Sequence, residues 1–296
     1  MSARVLSGRE PARLVRAEVA ARVAALRRQG KEVGLASVLV GDDRPSHVYV
    51  TGKHRAAGEV GIRSFDHRLS QETPPGEVEA MVERLNGDPA VDGILVQLPL
   101  PPSIDQVRVL EAIDPAKDVD GLHPVNLGRL VLDRPWLVPA TPLGVMALLE
   151  HYQVSLAGTV ATVVGRSFLV GRPLALLLGS KGADATVIQA HSRSPDLGSL
   201  TRQADVLVTA VGQPGLVGVE HVKPGATVID VGITGVRDQL RGDVDFEAVA
   251  QTAGAVTPVP GGVGPMTVAM LLRNTVTAAE RRDHVERRDH VEHREQ

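Results

Sequence analysis

The chain has 296 residues, 43% of them hydrophobic, enough to bury a substantial core and to divide most simply into two domains. Only 2% are aromatic and the formal net charge is −3 without a concentrated basic field, so both stacking platforms and an electrostatic footprint for nucleic acid are lacking. The absence of cysteine excludes a disulfide framework and thiolate catalysis. The first residues show no signal-peptide pattern and no run reaches transmembrane length without charges or breakers, so no membrane association is expected and cytoplasmic residence is.

Apolar residues at helical spacing, including Leu14, Val19 and Leu26, predict an amphipathic helix from Glu10 to Gln29, closed near Gly30. Leu35–Val40 reads as a buried strand and Gly41–Pro45 as its exit loop, with Ser46 able to cap the next helix. That helix carries Tyr49 and Lys53 one turn apart on one face, and contains Gly52 at a cost of about 1 kcal/mol. A strand over Gly61–His67, a helix over Glu77–Leu85 and a strand over Asp92–Gln97 follow, an alternation that implies an open α/β layer. Gln97 ends the third strand, and Lys117-Asp-Val-Asp120-Gly-Leu-His-Pro124 lies beyond the next short helix. Taken singly, Gln97 suits a strand-edge hydrogen bond and the acidic cluster a solvated turn. Together, at the carboxyl ends of strands, they suit one shared pocket. The histidines have no metal-ligand spacing, so His54 and His123 read as local polar residues and no metal is expected.

Pro139-Ala-Thr-Pro142 marks a boundary before a helix over Leu143–Tyr152. The strand-like run from Ala161 then ends at Gly165, and Gly171 and Pro173 introduce the helical pattern Leu174–Leu178. Small residues let the backbone approach a diphosphate, and the following helix offers unpaired N–H groups to the anion. The glycines stand six apart with Arg166 after the first, unlike the G-x-G-x-x-G fingerprint, and plain scaffold remains the competing reading. The next strand, Ala185–Ala190, ends in His191-Ser192-Arg193-Ser194 with no carboxylate to bind a ribose 2′-hydroxyl. Ser192 and Arg193 suit a 2′-phosphate, which favours NADP over NAD. Strands over Asp205–Thr209 and Thr227–Val231 lead into loops at Val211-Gly212 and Gly232-Ile233, weaker markers whose competing role is turn geometry and packing. A second boundary, Thr257–Thr267, feeds the apolar helical run Val268–Val276, and the chain ends in the repeat Glu280–Val285, Glu286–Val291.

Six segments in this order resemble the bifunctional methylenetetrahydrofolate dehydrogenase and methenyltetrahydrofolate cyclohydrolase family. They are Ser46–Lys53, Gly93–Pro101, Lys117–Gly121, Thr141-Pro-x-Gly144, Gly165-Arg-Ser-x-x-Val-Gly171-x-Pro173 and Pro258–Thr267, within a likeness covering Val5 to Ala279. The resemblance implies two α/β domains around a cleft, the second a Rossmann-like NADP-binding domain with a parallel sheet, and a homodimer. Residues 1–139, completed by a returning helix at 268–280, are the expected folate-binding catalytic domain, 140–267 the NADP domain, and 281–296 a disordered or frayed tail. It implies Lys53, Tyr49 and Gln97 as catalytic, and Tyr49, Asp120, Pro260, Gly261 and Gly262 as substrate-binding. Gly165, Arg166, Ser167, Gly171, Ser192, Arg193 and Ile233 fall around NADP. Ala140 departs from a frequent Cys that is not an expected nucleophile. The implied activity converts one-carbon derivatives of tetrahydrofolate. A dehydrogenase without cyclohydrolase chemistry is the nearest alternative, which retention of Lys53, Tyr49 and Gln97 opposes, and a non-catalytic NADP-binding regulator is the alternative from another class.

Overall fold

The computed structural model describes residues 2–236 and 239–292, with the side chains of 44, 45, 48, 75 and 283–292 outside that description. It divides into two compact units. One comprises Met1–Leu14, Arg129–Arg134 and Pro139–Met270, and the other Val15–Gly128, Pro135–Val138 and Leu271–Gln296.

The chain opens with β1 (Arg4–Val5) and α1 (Arg9–Arg28). α1 buries Ala12, Val19, Val23 and Leu26 but leaves Leu14 47% exposed, so Leu14 falls outside the buried stripe. Next come β2 (Gly34–Val40), α2 (Arg44–Glu59), β3 (Arg63–Leu69), α3 (Pro75–Gly87) and β4 (Gly93–Val96). Their three strands pair in parallel in the order β3-β2-β4. β2 is central and buried at every residue, which is why it reads as a continuous apolar run broken only by Ser37. α2 is capped by Asp43, whose carboxylate accepts from Ser46 N at 3.0 Å and Ser46 Oγ at 2.6 Å. Ser46 is therefore not the cap expected from sequence, because the helix already begins at Arg44 and takes Pro45 into its first turn. α4 (Gln106–Glu111) and α5 (Pro124–Val131) flank the segment Lys117–Gly121.

The other unit contains α6 (Ala140–His151), β5 (Val160–Val164), α7 (Gly171–Gly179), β6 (Thr186–Ala190), α8 (Leu197–Thr201) and β7 (Val206–Thr209). It continues with β8 (Thr227–Asp230), the hairpin β9 (Thr234–Val236) and β10 (Gln239–Arg241), α9 (Phe246–Val249) and β11 (Ala255–Val256). A six-stranded parallel sheet runs β1-β11-β8-β7-β5-β6 around a core of Val164, Leu207, Val228 and Val256. The first residues thus depart from the expected 1–139 domain. Arg4 and Val5 pair with Ala255 and Val256 and cover an edge that β11 would leave open. Neither two-residue strand is long enough to show alternation in sequence.

α10 (Val263–Glu292) is much longer than the apolar run that predicted it. The start of the expected loose tail is held in the three-stranded unit. Arg282 Nη2 lies 3.0 Å from Asp92 Oδ1, Arg282 Nη1 donates to Pro89 O at 2.6 Å, and Arg281 sits over the Trp136 ring. A buried carboxylate and the chain's one tryptophan give these arginines partners that composition could not reveal. Residues 293–296 of that tail lie outside the described residues. Among the described residues no helix is long and apolar enough to cross a membrane, and no group of three or more His, Asp or Glu is placed to hold a metal ion.

Candidate active site

In the three-stranded unit, α2 projects Tyr49 and Lys53 from the same side, one turn apart, with Tyr49 40% exposed. Lys53 Nζ donates to Gln97 Oε1 at 3.0 Å, while Gln97 Nε2 donates to Leu98 O at 2.7 Å. The second bond fixes which end of the amide meets the lysine. A neutral oxygen orients the amine without adding the negative charge that would hold a proton on it. Burial holds the Lys53 amine below the usual lysine range, with Asp120 opposing that shift. Burial pushes the Tyr49 phenol up. The Asp120 carboxyl is also pushed up by burial, with Lys53 pulling it down and Asp118 adding to the rise.

The segment carrying Asp120 is not a solvated turn. Lys117, 9% exposed, donates from Nζ to Leu85 O, Asn86 O and Asp88 O, so it completes the orphan carbonyls at the end of α3. Asp118, 1% exposed, accepts from His123 N and Asn126 Nδ2, each at 2.8 Å. Ile94 N donates to Lys117 O at 2.7 Å, and Asn274 Nδ2 bridges Val119 O and Val138 O. Lys117 Nζ and Asp118 Oδ2 thus tie this segment to α3 and to the start of α5. The resemblance singled out Asp120, whereas the structural role of Asp118 lies in partners 5 to 8 residues onward that residue spacing did not reveal.

In the six-stranded unit, Gly165 and Arg166 follow β5, while Ser192 and Arg193 follow β6. These strands are hydrogen-bonded neighbours with Val164 opposite Ala190, which brings the two arginine-bearing tips together. Ser167 Oγ accepts from Val170 N at 3.2 Å and Gly171 N at 3.4 Å, closing the loop onto the start of α7. A Cβ on Gly165 would lie 2.5 Å from Ala210 O, and one on Gly171 2.3 Å from Gly165 O. Backbone therefore fills the space a side chain would need, and Gly165 also takes φ +127°. The crossovers from β5 to β6 and from β6 to β7 place strands on opposite sides of β5, so the loop lies at a topological switch point. The close backbone and exposed Arg166 and Arg193 fit an anionic dinucleotide. Ile233, 37% exposed, follows β8 on the same strand-tip side. Pro260, Gly261 and Gly262 lie between β11 and α10 in this unit, where Gly261 O accepts from Gly8 N at 2.8 Å. They do not share a unit with Lys53, Gln97 and Asp120.

Two carboxylates unseen by the sequence reasoning hold these tips. Asp230, 3% exposed, accepts from Thr209 Oγ1, Gly232 N, Asp243 N and Val244 N. Asp243, fully buried, accepts from Val211 N at 2.8 Å and Gln213 N at 2.7 Å. Burial pushes Asp230 up to about 6. The folded state therefore binds a proton more readily than the unfolded chain, and this contribution to stability is present at low pH and lost as pH rises through about 6. A shift from 3.8 to about 6 corresponds to at most about 3 kcal/mol. The thermal midpoint of the wild type minus that of Asp230→Asn should fall between pH 4.5 and 7.5. A constant difference would remove this assignment.

A parallel nucleotide-type sheet with glycine-pinched loops in one unit, and an α/β layer with a buried amine at its strand tips in the other, define a two-unit α/β protein of the nucleotide-binding class. Residues 6–120 match the catalytic domain, and residues 139–283 the NAD(P)-binding domain, of tetrahydrofolate dehydrogenase/cyclohydrolase. The bifunctional protein FolD of Geobacillus thermodenitrificans is 51% identical over 282 residues, covering 95% of this chain and 99% of the relative. The crystal structure of the bifunctional FolD of Campylobacter jejuni superposes with TM-score 0.91 at 44% identity, covering 94% of this chain and 99% of its own. The Trypanosoma brucei FolD, solved in complex with NADP cofactor and inhibitor, gives TM-score 0.91 at 42% identity over 95% of this chain and 98% of its own. The chain belongs to the tetrahydrofolate dehydrogenase/cyclohydrolase family.

Proposed function

We propose that Lys53, Gln97 and Asp120 carry the cyclohydrolase half of a bifunctional enzyme, and that the loops bearing Gly165–Gly171 and Ser192-Arg193 serve its dehydrogenase half. The enzyme oxidises 5,10-methylenetetrahydrofolate and hydrolyses the resulting 5,10-methenyl derivative to 10-formyltetrahydrofolate. NADP supplies the hydride acceptor when bound. The observation that carries the assignment is the buried Lys53 amine, kept below its ordinary pKa and donating to the uncharged Gln97 oxygen. A neutral amine at that point accepts a proton from the water adding to the methenyl carbon. It returns a proton to the folate nitrogen released as the carbon–nitrogen bond breaks, the net reaction releasing one proton. Asp120 offers two acceptors to the pterin amide N–H and exocyclic amine, and Tyr49 packs beside the folate. Pro260, Gly261 and Gly262 are assigned to the substrate through the family pattern. A homodimer and cytoplasmic residence belong to the same proposal, and sedimentation at equilibrium tests the first. Paired assays of NADP reduction with methylenetetrahydrofolate and of methenyl hydrolysis test the whole reading: hydride transfer alone would leave the monofunctional alternative, and nucleotide binding without turnover the regulator.

Cofactor choice rests on Arg193 and Arg166. Removing one charge-assisted contact to a phosphate is worth about 1.5–3 kcal/mol, or roughly ten- to hundredfold in affinity. Arg193→Ala and Arg166→Ala should each weaken NADP selectively, with NAD affinity nearly unchanged. Equal effects on both nucleotides in a titration would sink the assignment to the 2′-phosphate.

A further inference from the structure

We propose that Ser37 and His54 are positioning residues that hold α2, and through it Lys53, at Gln97. The inference rests on the assignment of Lys53 as the proton carrier. Ser37 lies on the central strand β2 and is fully buried, and its Oγ meets His54 Nε2 at 2.6 Å. His54 directly follows Lys53 on α2, so one residue reaches the strand tip while the next is tied to the middle of the sheet. The remaining buried face of this stretch of helix is apolar, through Val50, Ala56 and Ala57. Such packing is non-directional, whereas a hydrogen bond of this length fixes both the rotation and the height of the helix. Gly52, immediately before Lys53, adds no anchor: a Cβ there would meet nothing within 4 Å.

Asp66 and Arg68 on β3 act on His54 in opposite directions, Lys53 acts on it from its own helix, and Asp120 acts on Lys53. Burial is the largest influence on His54 and lowers its pKa, so at neutral pH the ring is uncharged and adds no second positive charge beside Lys53.

Loss of the tether lets Lys53 move away from Gln97 and toward water. A displacement approaching 1 Å costs on the order of tenfold to a hundredfold in rate. Hydration also favours the ammonium, so less amine is neutral at a given pH. Ser37→Ala, His54→Phe and the double variant test this. His54→Phe leaves the fully buried Ser37 Oγ unpartnered and Ser37→Ala leaves the half-buried His54 Nε2 so, whereas the double removes both, and the thermal midpoint should recover in the double even if a single variant folds poorly. The expected result is a cyclohydrolase kcat lowered about tenfold with little change in KM, its rising pH limb moved to higher pH, and NADP affinity unaltered, in the double as in the singles. Wild-type kcat and pH profile in the folded variants, or activity that recovers in step with the thermal midpoint, would overturn the proposal. Lys53→Met assayed alongside keeps the two ideas apart: normal hydrolysis there rejects Lys53 as proton carrier, whereas its loss together with wild-type turnover in Ser37→Ala rejects the tether alone.

Discussion

Lys53→Met should lower methenyl hydrolysis by about three orders of magnitude, the middle of the range for a positioned acid–base group. Oxidation of methylenetetrahydrofolate should persist, because hydride transfer needs no protein base. Methionine keeps most of the unbranched stem, so the space above Gln97 stays filled. The substitution leaves Gln97 Oε1 without its lysine donor, yet it also removes an amine whose charge is disfavoured by burial, and these effects on stability oppose one another. The thermal midpoint is therefore expected to stay close to that of the wild type, and NADP affinity, set in the other unit, should not change. Hydrolysis measured against its uncatalysed background decides the matter: turnover at the wild-type rate would require another residue to carry the proton. A loss of both activities with a lowered midpoint would instead mark a fold defect.

Gly171→Ala should produce the opposite separation. The added Cβ would stand 2.3 Å from Gly165 O and 3.0 Å from Arg166 N, both backbone atoms with no rotamer to relieve the clash. The loop has to open at its narrowest point, at a cost of about 1–3 kcal/mol by analogy with overpacked cores. Charged to nucleotide binding, that is roughly ten- to hundredfold in NADP affinity. The dehydrogenase should then fail at ordinary NADP concentrations and recover partly when NADP is raised, while methenyl hydrolysis continues. Wild-type NADP affinity in this variant would show that the closeness of Gly171 to Gly165 has no part in holding the cofactor.

Much of the architecture was legible in the chain because it is written in short-range terms. The apolar runs that became β2, β4, β5 and β7 are buried on both faces, and strands of that kind are uniform enough to be seen without alternation. The spacing of Tyr49 and Lys53 fixes their common helix face, the glycines at 165 and 171 mark a close backbone approach, and the tip after β6 has no carboxylate, all of which are properties of a few neighbouring residues. These local features sufficed for the family resemblance and for the preference for NADP over NAD.

What tertiary structure alone decided involves partners distant in sequence. Whether Gln97 is an edge residue or faces Lys53 depends on α2 crossing over the sheet, across 44 positions. How Asp118 is held depends on Asn126 and His123, and the placement of Lys117 depends on the end of α3. β1 exists as a strand only because β11 pairs with it, β11 itself lies between β1 and β8, and Arg282 is ordered by a carboxylate 190 positions earlier. The physical reason is the same throughout. Periodicity and turn chemistry act within one or two turns of chain, whereas a buried polar group is settled by whichever partner the fold delivers, and its desolvation makes that partner compulsory.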